Sequence, residues 1–275
     1  MKVLIVFKKS AFELYSQSPD EEVQRFMASG RDVDRLQASH RQQAESLQAV
    51  IDAFDRAGID ADSVYRGHLE SVAGYDLVVS VGGDGTLLEV SHSVNDTPVL
   101  GVNSDPVCSV GFFSIGTSEN IAELARKLDD LPRTKLHRAG ITLEGAPLPV
   151  PVLNDVLLAH INPAAVTRYR IDGEDEIVRG SGLLISTAAG STGWISQEGG
   201  EVMPLDDPRL QFHSRGVRGA AFSYAETVRV RSLTRQACLF VDGAHLCYPV
   251  DLGAVVDISP AIPLTVIGDL SSKSR

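Results

Sequence analysis

At 275 residues the chain exceeds one typical domain and can bury a sizeable core, and its 43% hydrophobic and 22% charged content is ordinary for a soluble globular protein. A formal net charge of −11 argues against a general partner of nucleic acid or anionic membrane, whose phosphates would be repelled on average. It leaves room for a small anionic ligand, which senses only local charge.

The chain opens on MKVLIVFKKS, whose apolar run is too short for a signal core or a membrane span and reads as a buried strand over Val3–Phe7. Residues 20–57 are polar and helical in character. Leu47, Val50, Ile51 and Phe54 share one helical face there, and Gly58 is placed to end the helix. A second buried strand is expected at Val78–Val81, a helix at Thr86–Val94 and a third strand at Val99–Val102. Strand, helix, strand, glycine turn, helix, strand is the pattern of a parallel α/β domain, assigned to residues 1–103.

After residue 103 one short helix is expected at Ile121–Leu128, and extended segments then dominate: GITLEG, VPVLNDVLLAH, VTRYRID, EIVRGSGLLIST, ETVRVRS and ACLFVDG. Turn dipeptides such as Asp172-Gly173 separate them, as in an antiparallel, largely β second domain over 104–258. The apolar tail from about 259 is expected to return to the first domain, with its polar SSKSR end frayed. Cys108, Cys238 and Cys247 show no metal-ligand or Cys-x-x-Cys spacing and read as reduced thiols. The seven histidines are scattered without ligand spacing, and the acidic IDGEDE lacks the spacing of a calcium loop.

Three segments carry chemistry. SVGGDGTLLEV sets Asp84 among Gly82, Gly83 and Gly85, where the backbone can turn sharply and approach a ligand. The helix that follows aims its amino-terminal N–H groups at the same place, which favours phosphate. It is neither a Walker A loop nor a dinucleotide fingerprint. Asp84 is open to three readings: a turn residue capping the helix, a metal ligand, or a base that takes a hydroxyl proton in phosphoryl transfer. Asn154-Asp155, inside an otherwise apolar segment, is either a strand end or a hydrogen-bonding pair for ribose hydroxyls. STAAGSTGW is either a hydroxyl-rich hairpin loop or a ligand loop in which Trp194 offers a stacking face. It is not a nucleophile elbow, since Gly-x-Ser-x-Gly occurs nowhere in the chain. Lys8 ends the first strand, where a parallel sheet presents ligand-facing groups.

Together GGDGTLL, GVN at 101–103, Asn154-Asp155, STAAGSTGW and VDG at 241–243 resemble the NAD kinase family, in order and over most of the chain. Three departures resemble its mitochondrial-type branch: Ser181 where the family usually has aspartate, Trp194 where it usually has tyrosine, and the longer SDPVCSVGFF after GVN. The resemblance implies an α/β domain followed by a β domain. It makes Asp84 the base that removes the adenosine 2′-hydroxyl proton of NAD during attack on the γ-phosphate of ATP. Gly82, Gly83, Gly85, Thr86, Lys8 and Asn103 would serve phosphate and ATP binding. Asn154, Asp155, Arg179, Ser181, Thr192, Gly193 and Trp194 would serve NAD binding. Mg²⁺ would arrive mainly on ATP, without an assigned protein ligand.

The alternatives are a lipid or sugar kinase sharing GGDGT, which the segments at 154–155 and 186–194 disfavour, and a non-catalytic NAD-binding protein, which has no need of Asp84. A homodimer is expected, with a tetramer as the alternative, in the cytoplasm of a bacterium.

Overall fold

The apolar run after Met1 forms β1 (Lys2–Phe7), with Val3, Leu4, Ile5 and Val6 all buried. The computed structural model describes residues 1–30 and 32–270; the SSKSR end, expected to fray, lies outside them. Three helices follow: α1 (Ala11–Ser16), α2 (Glu21–Ala28) and α3 (Val33–Arg56). The helical stretch read over 20–57 is therefore interrupted around Gly30, and α3 stops just before Gly58, as expected. Next come β2 (Asp60–Tyr65), β3 (Leu77–Gly82), α4 (Asp84–Ser91), β4 (Val99–Asn103) and α5 (Ile121–Arg126). The sequence reading missed β2 because DADSVY carries little apolar signal; it is an edge strand and only partly buried.

These strands lie parallel in the order β2-β1-β3-β4. Val3, Ile5, Val79, Val81, Leu100 and Val102 point to one face and bury against Val50 and Phe54 of α3 and Ile121 and Ala125 of α5. Helix α4 packs along β3 and buries Thr86, Leu87 and Val90. Since β2 lies on one side of β1 and β3 on the other, the loops leaving the carboxyl ends of β1 and β3 part. That divergence is where open parallel sheets bind ligands, and Lys8 and the GGDG turn are the residues that follow those two ends.

The remaining elements are β5 (Arg133–Leu143), β6 (Ala146–Pro147), β7 (Asp155–His160), β8 (Thr167–Ile171), β9 (Val178–Gly180), β10 (Gly182–Ser186), α6 (Trp194–Gln197), β11 (Leu210–Arg215), β12 (Phe222–Ala225), β13 (Val228–Ser232), β14 (Ala237–Val241), β15 (Leu246–Val250) and β16 (Val255–Ile267). An antiparallel sheet runs β12-β11-β10-β7-β14-β15. A second layer is built on β16, β13, β8 and β9. Val156, Leu158, Leu183, Ile185 and Leu239 of the first layer interdigitate with Tyr169, Val228, Val230, Val256 and Ile258 of the second. The opposite face of the first sheet carries Leu157, Ala159 and Leu184, covered by Trp194 and Ile195.

The chain divides into two compact units, Met1–Thr134 with the chain from Thr265 onward, and Lys135–Leu264. Residues 104–134, grouped with the β segments in the sequence reading, lie in the first unit because Ile121, Ala125 and Leu128 complete its core. Strand β16 gives its first residues to the second unit and pairs Val266 with Val99 in the first. Among the described residues, no helix is long and apolar enough to cross a membrane.

The expectation of three reduced thiols is corrected: Cys238 and Cys247 form a disulfide, with Cα atoms 6.0 Å apart, and only Cys108 is free. The register of the β14–β15 hairpin, Cys238 opposite Pro249 and Phe240 opposite Cys247, puts the two cysteines diagonally on one face. Spacing in the sequence does not reveal this, because a nine-residue separation becomes a contact only once the hairpin register is known.

Candidate functional site

In the first unit, β3 ends at Gly82 and α4 begins at Asp84 with Gly83 as its N-cap. The helix thus starts two residues earlier than read from the sequence and ends at Ser91 rather than Val94. Asp84 is not the capping residue. Its Oδ1 accepts the Phe113 N–H at 3.0 Å, which fixes the carboxylate from outside its own helix. Gly82 allows a close approach: a Cβ there would lie 2.2 Å from the Thr86 hydroxyl. Thr86 is buried and its Oγ1 has no hydrogen-bond partner, a polar atom poised at the turn.

Asn103, at the end of β4, organises the adjoining loop. Its Nδ2 donates to the Ser109 carbonyl at 2.9 Å and its Oδ1 accepts the Asp105 N–H at 3.2 Å. The longer SDPVCSVGFF segment is therefore folded back on the GGDG turn, and a Cβ on Gly83 would stand 2.6 Å from Ser109 Oγ. Lys8 lines a cavity of about 100 Å³ with Val81, Ser104 and Gln43. Burial, and then the nearby Arg66, hold its ammonium below the ordinary lysine range. Its neighbour Lys9 is taken up by Glu13 at 3.5 Å and by the Tyr65 ring.

In the second unit, Asn154 immediately precedes β7 and Asp155 opens it, so the polar pair marks a strand end. One carboxylate anchors the pair. Asp242 accepts the N–H groups of Leu153 at 2.9 Å, Asn154 at 2.7 Å and Asp155 at 3.0 Å, while its own N–H donates to the Asp155 carbonyl at 2.8 Å. Asp242 adopts φ +50°, a conformation that aspartate tolerates better than most residues. The STAAGST loop closes on the same backbone: Thr187 Oγ1 donates to the Leu153 carbonyl, and the Thr187 N–H donates to the Asn154 carbonyl at 2.9 Å. A Cβ on Gly190 would fall 2.2 Å from that carbonyl oxygen, so only glycine fits. Asn154 Oδ1 is buried without a partner. Asp155 is buried, and desolvation, reinforced by the Asp242 charge, raises its pKa to about 7.

Thr192 and Gly193 close the short turn that leads into α6, whose first residue is Trp194. Trp194 and Ser181 line one cavity of about 540 Å³ with Leu157, Ala159, Phe240 and Arg215. The sequence reading had no role for Arg215. Its guanidinium lies 4.6 Å over the Trp194 ring and its Nε donates to Glu198 Oε1 at 2.7 Å. Arg179 is not brought to this cavity: it is exposed on β9, opposite Arg168. Asp242 was also missed as a working residue, although Asp-Gly between two apolar runs is the signal of a hairpin turn. Among the described residues, no cluster of three or more His, Cys, Asp or Glu side chains could hold a metal ion.

The family model described as ATP-NAD kinase N-terminal domain matches residues 11–130. A probable NADH kinase of Oryza sativa subsp. japonica is 32% identical over 257 residues, covering 80% of this chain and 79% of that protein. The chain also resembles the crystal structure of an NAD kinase from Archaeoglobus fulgidus in complex with ATP, with TM-score 0.67, 20% identity, and coverage of 97% of this chain and 93% of that one. A yeast NADH kinase complexed with NADH gives TM-score 0.68 at 16% identity, covering 99% of this chain and 84% of that one.

Proposed function

The chain belongs to the NAD kinase family, and we propose how its residues carry an ATP-dependent phosphorylation of NAD at the 2′-hydroxyl of the adenosine ribose to give NADP. The carrying observation is the GGDG turn at the diverging ends of β1 and β3, with Asp84 oriented by the Phe113 N–H. Asp84 Oδ takes the 2′-hydroxyl proton as that oxygen attacks the γ-phosphorus; the bond to the β–γ bridging oxygen breaks and ADP leaves. Gly82, Gly83, Gly85 and Thr86 hold phosphate oxygens with backbone N–H groups and the otherwise unpartnered Thr86 hydroxyl. Lys8 supplies positive charge at the neighbouring strand end, and Asn103 holds the loop that orients Asp84.

Asn154 and Asp155 take ribose hydroxyls, supported by the buried, unpartnered Asn154 Oδ1 and the anchoring of both backbones by Asp242. Trp194 and Ser181 line the dinucleotide pocket, and Thr192 and Gly193 form the turn that leads into Trp194; Arg179 is exposed on β9, away from that cavity. Mg²⁺ would be carried on the triphosphate, without an assigned protein ligand. When bound it would neutralise phosphate charge.

The test is incubation with ATP, Mg²⁺ and NAD, with NADP read by a dehydrogenase that accepts only NADP; no NADP from the wild-type protein ends the proposal. NADH is a second acceptor, favoured by the name of the rice relative and by the NADH-bound yeast structure. A homodimer, tested by light scattering, and a cytoplasmic location, tested by fractionation, complete the reading.

A further inference from the structure

The loop that orients Asp84 is itself held from α3. It leaves β4 at Ser104 and reaches Phe113, whose N–H donates to the Asp84 carboxylate. Its middle is exposed, Val107 by 91% and Val110 by 73%. Its far end is packed: Phe112 and Phe113 are buried, with their rings edge to face at 5.1 Å. Its near end hangs on two hydroxyls of α3. Ser39 Oγ donates to Asp105 Oδ2 at 2.7 Å, and Ser46 Oγ donates to the Ser104 carbonyl at 2.9 Å. Asp105 passes that hold along the loop, its Oδ1 accepting the Cys108 N–H at 3.2 Å and its carbonyl the Ser109 N–H at 2.9 Å.

Ser39 and Ser46 stand about two turns apart on α3 and so share one face of it. Serine is a weaker helix former than alanine, because its hydroxyl competes for nearby backbone groups. Ser46 is nevertheless fully buried, on a helix whose later buried residues are Val50, Ala53 and Phe54. A hydroxyl in that setting stabilises only through its partner, and the partner lies on the loop rather than on α3. Gln43 Nε2 donates to Ser39 Oγ at 3.3 Å, which leaves the Ser39 proton for Asp105. Resting on the kinase reading above, we infer that Ser39 and Ser46 are positioning residues for the phosphoryl transfer. Through Ser104 and Asp105 they hold the loop whose Phe113 N–H sets the Asp84 carboxylate, and neither touches substrate.

The experiment is a double-mutant cycle between the serine pair and the base. Ser39→Ala and Ser46→Ala are combined in the wild-type protein and in Asp84→Asn. For each, kcat is measured, and NAD affinity is read from emission of Trp194, the single tryptophan of the chain. Asp105 is left intact because its charge also acts on Lys8. In the wild-type background the pair lowers kcat about tenfold and leaves NAD affinity within about twofold, since a displaced base slows only the chemical step. Ser39→Ala alone lowers kcat, and Ser39→Thr, which keeps the hydroxyl, recovers it. In Asp84→Asn the pair lowers kcat no further, to within about twofold, because no base remains to be displaced. An equal fall in both backgrounds marks a general structural role, and an unchanged kcat in the wild-type background means that the loop needs no hold from α3; either result overturns the inference. If the wild type forms no NADP, or Asp84→Asn alone keeps kcat, the kinase reading fails instead. Hydrogen exchange then decides: the Phe113 amide exchanges about tenfold faster in the serine-pair variant if α3 holds the loop, and an unchanged rate overturns the inference.

Discussion

The Asp242 carboxylate accepts the Asn154 N–H at 2.7 Å across 88 residues of chain, and the same oxygen accepts the next N–H, from Asp155, at 3.0 Å. The turn between β14 and β15 thereby sets the backbone that begins β7. Charge-assisted bonds of this kind are about twice as strong as neutral ones, and removing the acceptor leaves three N–H donors without it, two of them in buried residues. Asp242→Ala is expected to cost about 3 kcal/mol or more by denaturant unfolding. Asp242→Asn, which keeps one acceptor oxygen, should cost less and raise the KM for NAD more than it lowers kcat. A loss below about 1 kcal/mol in Asp242→Ala would mean that solvent or a rearranged turn satisfies those donors.

Asp155 couples this site to pH. Burial, then the Asp242 charge, put its folded pKa at about 7 against 3.8 for an ordinary aspartate. Below pH 3.8 both states are protonated and the group has no effect. Between that value and about 7 the unfolded chain ionises while the folded one keeps its proton, so the unfolded state binds fewer protons and stability falls as pH rises. Above about 7 the loss is complete. It is on the order of 4 kcal/mol. Urea unfolding should find Asp155→Asn more stable than wild type at pH 8 and equal to it near pH 4. An equal gain at both pH values points to packing rather than ionisation.

Periodicity and run length carried much of the first unit, because a parallel sheet covered on both faces writes itself as apolar runs: β1, β3 and β4 lie where VLIVF, VVSV and VLGV predict them. β2 escaped because an edge strand needs little apolar surface. Of the candidate site, GGDG, Asn154-Asp155 and Trp194 stand out in the sequence, because their residue types are costly or unusual where they stand. The supporting layer was not. That Phe113 orients Asp84, that Asp242 anchors Asn154, and that Arg215 covers Trp194 are long-range pairings fixed by strand register. So is the Cys238–Cys247 disulfide. A single sequence does not encode register in any local signal.

Gly190 offers a test that needs no substrate. A Cβ there would lie 2.2 Å from the Asn154 carbonyl oxygen, 2.5 Å from its carbon and 2.7 Å from its Cα, all backbone atoms that cannot rotate aside. Gly190→Ala must push the Thr187–Gly190 turn off Asn154, breaking the Thr187 contacts with Leu153 and Asn154. The expected loss is about 2–4 kcal/mol, with NAD affinity falling alongside. Gly85→Ala, in the GGDG turn but with open space around the added carbon, is the contrast, and should leave the folded state nearly as stable as wild type. If the two variants melt together, the close approach at Gly190 does not hold in solution.

Asp84 is best tested by the smallest change. In Asp84→Asn the side-chain oxygen can still accept the Phe113 N–H, so the loop over 105–113 keeps its tie and the helix α4 keeps its first turn. What disappears is the capacity to take a proton. General-base catalysis contributes about 10²–10⁴-fold, so kcat should fall by that factor while the melting temperature and NAD binding, read from Trp194 emission, stay close to wild type. Asp84→Ala should lose both the base and the tie to Phe113, and so add a fall in stability to the same fall in kcat. A variant Asp84→Asn that keeps kcat within about threefold of wild type removes Asp84 from the role of base, since loss of a working base costs at least about a hundredfold. It would then leave the carboxylate as an element of loop geometry, the reading that a lone acid among glycines also allows.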